Sequence, residues 1–138
     1  MAGSLVTRKL TALGNCQLDW RDAVNSSEII FVDSGVVSNP SQNDEIVVCT
    51  IPSGQKATLL GATVSCSATG QFRLARDDQT ATPTDYAIGA YYGAGTGEIQ
   101  PPLGLCSLGA GDQVKIVADQ SLTGNVRAFL YLEVISAT

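Results

Sequence analysis

Leu108-Gly109-Ala110-Gly111-Asp112 leads into the apolar run Val114 to Ala118, and Thr123-Gly124 leads into Val126 to Ile135. Twice in succession a tight turn is followed by a strand-like segment. β-branched and aromatic side chains suit a half-buried pleated surface, and Gly and Asp suit the backbone of turns. The same grammar continues towards the N-terminus. Ile46 to Ile51 is closed by Pro52-Ser53-Gly54, Ala57 to Cys66 is closed by Ala68-Thr69-Gly70, and Gln71 to Arg76 follows. Short strands with Gly, Pro or Asp at nearly every junction predict an all-β fold, an antiparallel sandwich or barrel.

Alternation within these runs assigns faces. In 58–66, Leu60, Ala62, Val64 and Cys66 form one face. Phe72 and Leu74 continue it, with Gln71 and Arg73 outward, and Val114, Ile116 and Ala118 do the same against Gln113 and Lys115. The last strand departs from this pattern. Val126, Ala128, Leu130, Leu132 and Val134 make an apolar face, but the opposite face is Arg127, Phe129, Tyr131 and Glu133, aromatic in its middle. A sheet with one wet face carries polar residues there. The strand therefore either bends between two core layers or lies under another element of the same chain, or else Phe129 and Tyr131 pack against another subunit. Tyr86, Tyr91 and Tyr92 beside a Gly-rich stretch add aromatic groups of a kind favoured at interfaces.

The chain has 138 residues, which predicts one domain able to bury a core without metal or disulfides. Ile29-Ile30-Phe31-Val32 marks the first regular strand, so the division expected is an N-terminal arm over 1–27 and a sandwich over 28–138. The arm carries Leu5, Leu10, Leu13, Leu18 and the single Trp20 without period-2 alternation. Those apolar side chains need a surface to cover, on their own domain or on a neighbour.

Charged residues make up 15% of the chain against about 25% in an average domain, and the net charge is −5. Only Arg8 and Lys9 are adjacent basic residues, so a nucleic-acid partner, which requires clustered positive charge, is not expected. No apolar stretch approaches a membrane span and none follows Arg8-Lys9 at signal-peptide length, which reads as a soluble chain made in a cytoplasm.

Histidine is absent, which removes Ser-His-Asp and Cys-His catalysis and zinc sites of ordinary spacing. Cys16, Cys49, Cys66 and Cys106 include no Cys-x-x-Cys pair; buried thiols are the expectation, and one disulfide is the alternative that an even count leaves open. Gly93-Ala94-Gly95-Thr96-Gly97 is followed by Glu98-Ile99-Gln100-Pro101-Pro102, which cannot open a phosphate-binding helix, so it reads as a flexible connection. Asp77-Asp78 lies in a polar loop without calcium-loop spacing. No catalytic residue, metal site or cofactor is expected.

The order of Ile51-Pro52-Ser53-Gly54, Gly70-Gln71-Phe72-Arg73-Leu74, Gly97-Glu98-Ile99-Gln100-Pro101-Pro102-Leu103, Leu108-Gly109-Ala110-Gly111-Asp112-Gln113-Val114 and Thr123-Gly124 resembles small jelly-roll domains of tailed bacteriophages. The resemblance covers roughly residues 45–136. It implies a jelly-roll-like β-sandwich and frequent trimerisation, and it is shared by capsid decoration (cement) proteins, tail-fibre tips and baseplate modules. A free-standing sandwich with an apolar arm looks most like the decoration proteins. The function so implied is that of a structural virion protein: a homotrimer on the outer capsid surface that binds the major capsid protein and stabilises the shell. The contact residues expected are Leu5, Leu10, Leu13 and Trp20 from the arm, with Tyr91, Tyr92, Phe129 and Tyr131 from the sandwich. The alternative is a receptor- or carbohydrate-binding module of a tail fibre or baseplate, with Tyr86, Tyr91, Tyr92 or Trp20 stacking on sugar rings.

Overall fold

The computed structural model describes residues 15–16, 28–79 and 85–136. Nine strands are present among them: β1 (Asn15–Cys16), β2 (Glu28–Asp33), β3 (Val37–Ser38), β4 (Glu45–Thr50), β5 (Gln55–Asp77), β6 (Asp85–Ile99), β7 (Ser107–Leu108), β8 (Gln113–Ala118) and β9 (Asn125–Ser136). They form an antiparallel, jelly-roll-like β-sandwich; the one parallel pair is β1 with β4, which sets Asn15 and Cys16 beside Val48 and Cys49. Of the arm expected over 1–27, those two residues alone are described. Leu5, Leu10, Leu13 and Trp20 lie outside the described residues.

β5 organises both layers. Its first half, Gln55 to Cys66, pairs with β9, which pairs in turn with β2. Its second half, Phe72 to Asp77, pairs with β8, which pairs with β4. β6 runs along the other edge of β5 from Asp77 back to Ala62. The two sheet halves close on a core of Ile30, Val32, Val47, Leu59, Val64, Phe72, Leu74, Ile116, Leu130 and Leu132, each at most 1% exposed. β4 lies across that core from β9 and β2.

The turns form where Gly, Pro and Asp stand. Gly54 and Gly111 adopt the left-handed conformation, at φ 81° and 89°, which favours glycine. The turn before β8 is closed by Asp112, whose carboxylate accepts from Gly109 N–H at 2.9 Å, while Gly111 N–H donates to Ile51 carbonyl at 2.8 Å. The 38–44 loop turns on Asn39 and Asn43, also left-handed.

Four sequence expectations are corrected. Ala68-Thr69-Gly70 does not separate two strands: β5 runs through it for 23 residues, and its ladder with β6 shifts register between Cys66 and Gly70, near the point where β5 changes partner from β9 to β8. A Cβ on Gly70 would meet the Phe72 ring at 2.7 Å, so glycine is what lets that ring reach the core. Gly93 to Gly97 is not a free connection but part of β6. Leu60 does not point inward. A bulge between Leu59 and Gly61 puts both Leu60 and Gly61 at the step facing Tyr131, leaving Leu60 42% exposed. Lys115, expected outward, is 7% exposed; its stem lies between Val48 and Ala75 on the adjacent strands while its ammonium reaches Glu45 at 3.1 Å and Asp85 at 3.0 Å.

Candidate functional site

β9 has a buried face and an outward one. Val126, Ala128, Leu130, Leu132 and Val134 fill the core, so the pleat turns Arg127, Phe129, Tyr131, Glu133 and Ile135 outward. The neighbouring strands extend this outer strip. β2 sets Phe31 opposite Tyr131 and Ile29 opposite Glu133, while β5 sets Thr58, Thr63 and Ser65 opposite Glu133, Phe129 and Arg127.

The aromatic side chains form a connected group. Phe31 meets Tyr131 edge to face, with centroids 5.2 Å apart and planes at 87°. Phe129 and Tyr131 are nearly parallel, at 5° and 6.3 Å. The Arg127 guanidinium lies 5.2 Å from the Phe129 centroid, and the Tyr131 hydroxyl is 3.1 Å from Thr63 Oγ1. Such contacts fix ring positions through quadrupole complementarity, so the strip is a shaped surface.

It is also an apolar one. Ile29, Phe31 and Leu60 are 49%, 44% and 42% exposed, and Val36 stands beside Arg127 at one end. These are four of the six exposed large hydrophobic side chains among the described residues. Scattered singly they would mean little, but gathered on one face they mark a contact surface. A cleft of about 460 Å³ opens at the Glu133 end between Lys56, Thr58, Ser107, Glu133 and Ile135. A shallower hollow of about 270 Å³ lies at the Arg127 end between Val36, Ser65, Asn125 and Arg127.

Charge at the strip's edge is anchored. Arg127 donates from Nε to Asp33 Oδ1 at 2.9 Å and from Nη2 to Asp33 Oδ2. Those hydrogen bonds hold the Asp33 carboxyl below its ordinary range against the opposing effect of burial, and Gly35 N–H adds a further bond at 2.8 Å. Ser34, also buried, keeps the chain on β9 by accepting from Ala128 N–H and donating to Gly35 carbonyl.

The two expected β6 tyrosines part company. Tyr91 packs on the core, its ring covers Gly97, and its hydroxyl donates to Ala94 and Gly95 carbonyls at 3.1 and 3.3 Å. The Cys66 thiol beneath donates to Gly93 carbonyl at 3.4 Å; burial pushes that thiol up, and burial with the neighbouring Cys66 pushes the Tyr91 phenol up. Tyr92 is 70% exposed on the outer side of the other layer, opposite Gln71, whose Oε1 accepts from Gln120 Nε2 at 2.8 Å. Tyr86 is half-buried against the core. Of the expected contact residues, the fold thus gathers Phe129 and Tyr131 on one surface and sets Tyr91 and Tyr92 apart from it.

From the sequence, Ile29 and Phe31 take no contact role and Leu60 falls on the inward face. The odd positions of Ile29-Ile30-Phe31-Val32 could have been read as an outward apolar pair. The bulge that turns Leu60 out has no such signal.

Away from the strip, one charged cluster ties elements of the fold together. Arg76, on β5, donates to Asp78 at 3.0 Å, to Asp112 at 3.4 Å and to Leu105 carbonyl at 2.9 Å, tying β5 to the turn before β8. Among the described residues no group of three or more Cys, Asp or Glu side chains is placed to hold a metal ion.

No protein-family model and no curated protein matches the chain. Among solved structures it is similar to the CBM22-1-GH10 modules of the Clostridium thermocellum endo-1,4-β-D-xylanase 10B, complexed with xylohexaose, at 16% identity and a TM-score of 0.45. That likeness covers 75% of this chain and only 21% of the xylanase chain, and it is too loose to assign a family or carry a residue's role across.

Proposed function

We propose that this protein is a self-associating structural module of a virion, whose oligomer decorates a capsid lattice built by the major capsid protein. The observation that carries the self-association is the outer strip of β2, β9 and β5, where Phe31, Tyr131 and Phe129 are locked together and Ile29, Phe31 and Leu60 stay exposed. Low charge and an acidic balance fit a protein that binds protein. The capsid setting comes from the jelly-roll resemblance of residues 45–136, and several contacts per oligomer would add through effective concentration.

Light scattering on the purified protein, followed by co-sedimentation with undecorated capsids, tests the reading. An oligomer that sediments with the shell supports it. A monomer without affinity for capsids overturns it.

A receptor- or carbohydrate-binding module is the second reading, favoured by the exposed Tyr92 ring beside the Gln71–Gln120 amide pair. Saturable glycan binding abolished by Tyr92→Ala would select it over the first.

A further inference from the structure

The outer strip of β9 is complementary to itself when reversed. Arg127 and Glu133 stand three positions either side of Leu130, and Phe129 and Tyr131 stand one position either side. All four face outward. We infer that two copies of this chain pack face to face through β2, β9 and β5, about a two-fold axis crossing β9 at Leu130. The axis lies in the interface and perpendicular to the strand, so β9 of one copy runs antiparallel to β9 of the other. Arg127 then meets Glu133 of the second copy, twice over, and Phe129 meets Tyr131, also twice. This is the signature of an isologous contact, in which one patch serves as both partners.

The chemistry at Arg127 allows it. A guanidinium has five N–H donors, and Asp33 takes one from Nε and one from Nη2. The donors that remain can serve a second carboxylate, and Arg127 is already held in place by Asp33 and by the Phe129 ring below it. A positioned guanidinium loses less freedom on binding than a free one. Lys56, opposite Ile135 in the ladder, falls one level beyond Glu133; the axis keeps β5 over β5, so this lysine faces the uncharged Ser67 level of the second copy and meets no like charge there.

Size sets the strength. Strands at about 4.8 Å spacing and residues at about 3.3 Å give a face of β2, β9, β5 and β6 that buries on the order of 1,100 Å² over both partners. That lies just above the roughly 1,000 Å² below which interfaces are seldom specific, so the pair forms and dissociates with concentration. Three copies about a three-fold axis, which the phage resemblance implies, would instead need a second patch complementary to this one. The strip supplies its own complement.

This inference rests on the self-association proposed above, and sedimentation across a concentration series separates the two. The native chain is compared with Glu133→Lys, which sets a lysine against Arg127 of the other copy, and with Gln42→Lys, which adds a lysine on an exposed turn away from the strip. Thermal melting of each variant confirms that it folds. A monomer–dimer equilibrium that weakens at least about tenfold in Glu133→Lys, and is unchanged in Gln42→Lys, supports the two-fold contact. A trimer or other odd stoichiometry, or a dimer indifferent to Glu133→Lys, overturns the two-fold contact while leaving self-association standing. A monomer at every concentration overturns self-association itself, and the contact with it.

Discussion

The Arg127 guanidinium grips the buried Asp33 carboxylate through both of its oxygens, from the strand next door, at the point where β2 leaves β9. Asp33 is 4% exposed, and a carboxylate so buried stays ionised only because Arg127 and the Gly35 N–H compensate its lost hydration. The same guanidinium covers Phe129, so one residue both ends the β2 ladder and shapes the outer strip.

Acid should loosen this corner in a defined window. The folded-state pKa of Asp33 lies below its ordinary value of 3.8, so the contribution of this group is complete above that value and is lost as pH falls through the lowered one. Thermal midpoints measured from pH 7 down to pH 2 should fall more steeply at the acid end for the native chain than for Asp33→Asn, which starts lower at neutral pH. Equal acid slopes in the two proteins would remove Asp33 from the account.

Tyr91 and Gly97 should behave as a pair. A Cβ on Gly97 runs into the Tyr91 ring, which bridges to Ala94 and Gly95 carbonyls. Gly97→Ala should therefore destabilise by about 1–3 kcal/mol, as overpacking typically does. In a Tyr91→Ala background the same change should cost much less, since the ring is gone. Urea denaturation of the four proteins gives the coupling directly. Additive effects would mean that the ring moves aside freely.

Lys115 offers a separation of stem from charge. Glu45 and Asp85 have side chains 49% exposed, so they can recover hydration if the ammonium is removed. Lys115→Met keeps the buried stem and should cost under about 1 kcal/mol, whereas Lys115→Ala loses the packing and should cost about 1–3 kcal/mol. Chemical denaturation at pH 7 decides it, and equal losses would assign the stability to the ion pairs. Burial pulls the Lys115 pKa down, but the two carboxylates outweigh it and leave it above its ordinary value of 10.5. The contribution of the charge is thus whole below that value and is lost only as pH rises through the higher one.

Strand content was legible because it depends on local chemistry. Gly111-Asp112 before β8 and Ile51-Pro52-Ser53-Gly54 after β4 act where they stand, and the alternation along β9 assigned its buried face correctly. What depends on partners was hidden. Ala68-Thr69-Gly70 has turn composition, yet two neighbours on opposite sides keep β5 extended through it. Lys115 has a surface side chain, yet carboxylates 70 residues before and 30 residues before it in the chain meet its ammonium in the fold. The outer strip was half visible. Phe129 and Tyr131 announced themselves by breaking alternation, whereas Phe31 joined them only once β2 was known to pair with β9.

β9 sits between β2 and β5, although both of those strands precede it by most of the length of the described chain. Gln55 finds its partner at Ser136, and Glu28 finds its own at Val134. The closure entropy of such distant pairings must be met before they return any stability, so the sandwich is a slow-folding topology. Until β9 docks, β2 and the first half of β5 each have an open ladder where β9 belongs. Partly folded molecules are consequently most adhesive at the slot that β9 later fills, and a segment of sequence able to occupy that slot early would divert folding into aggregation.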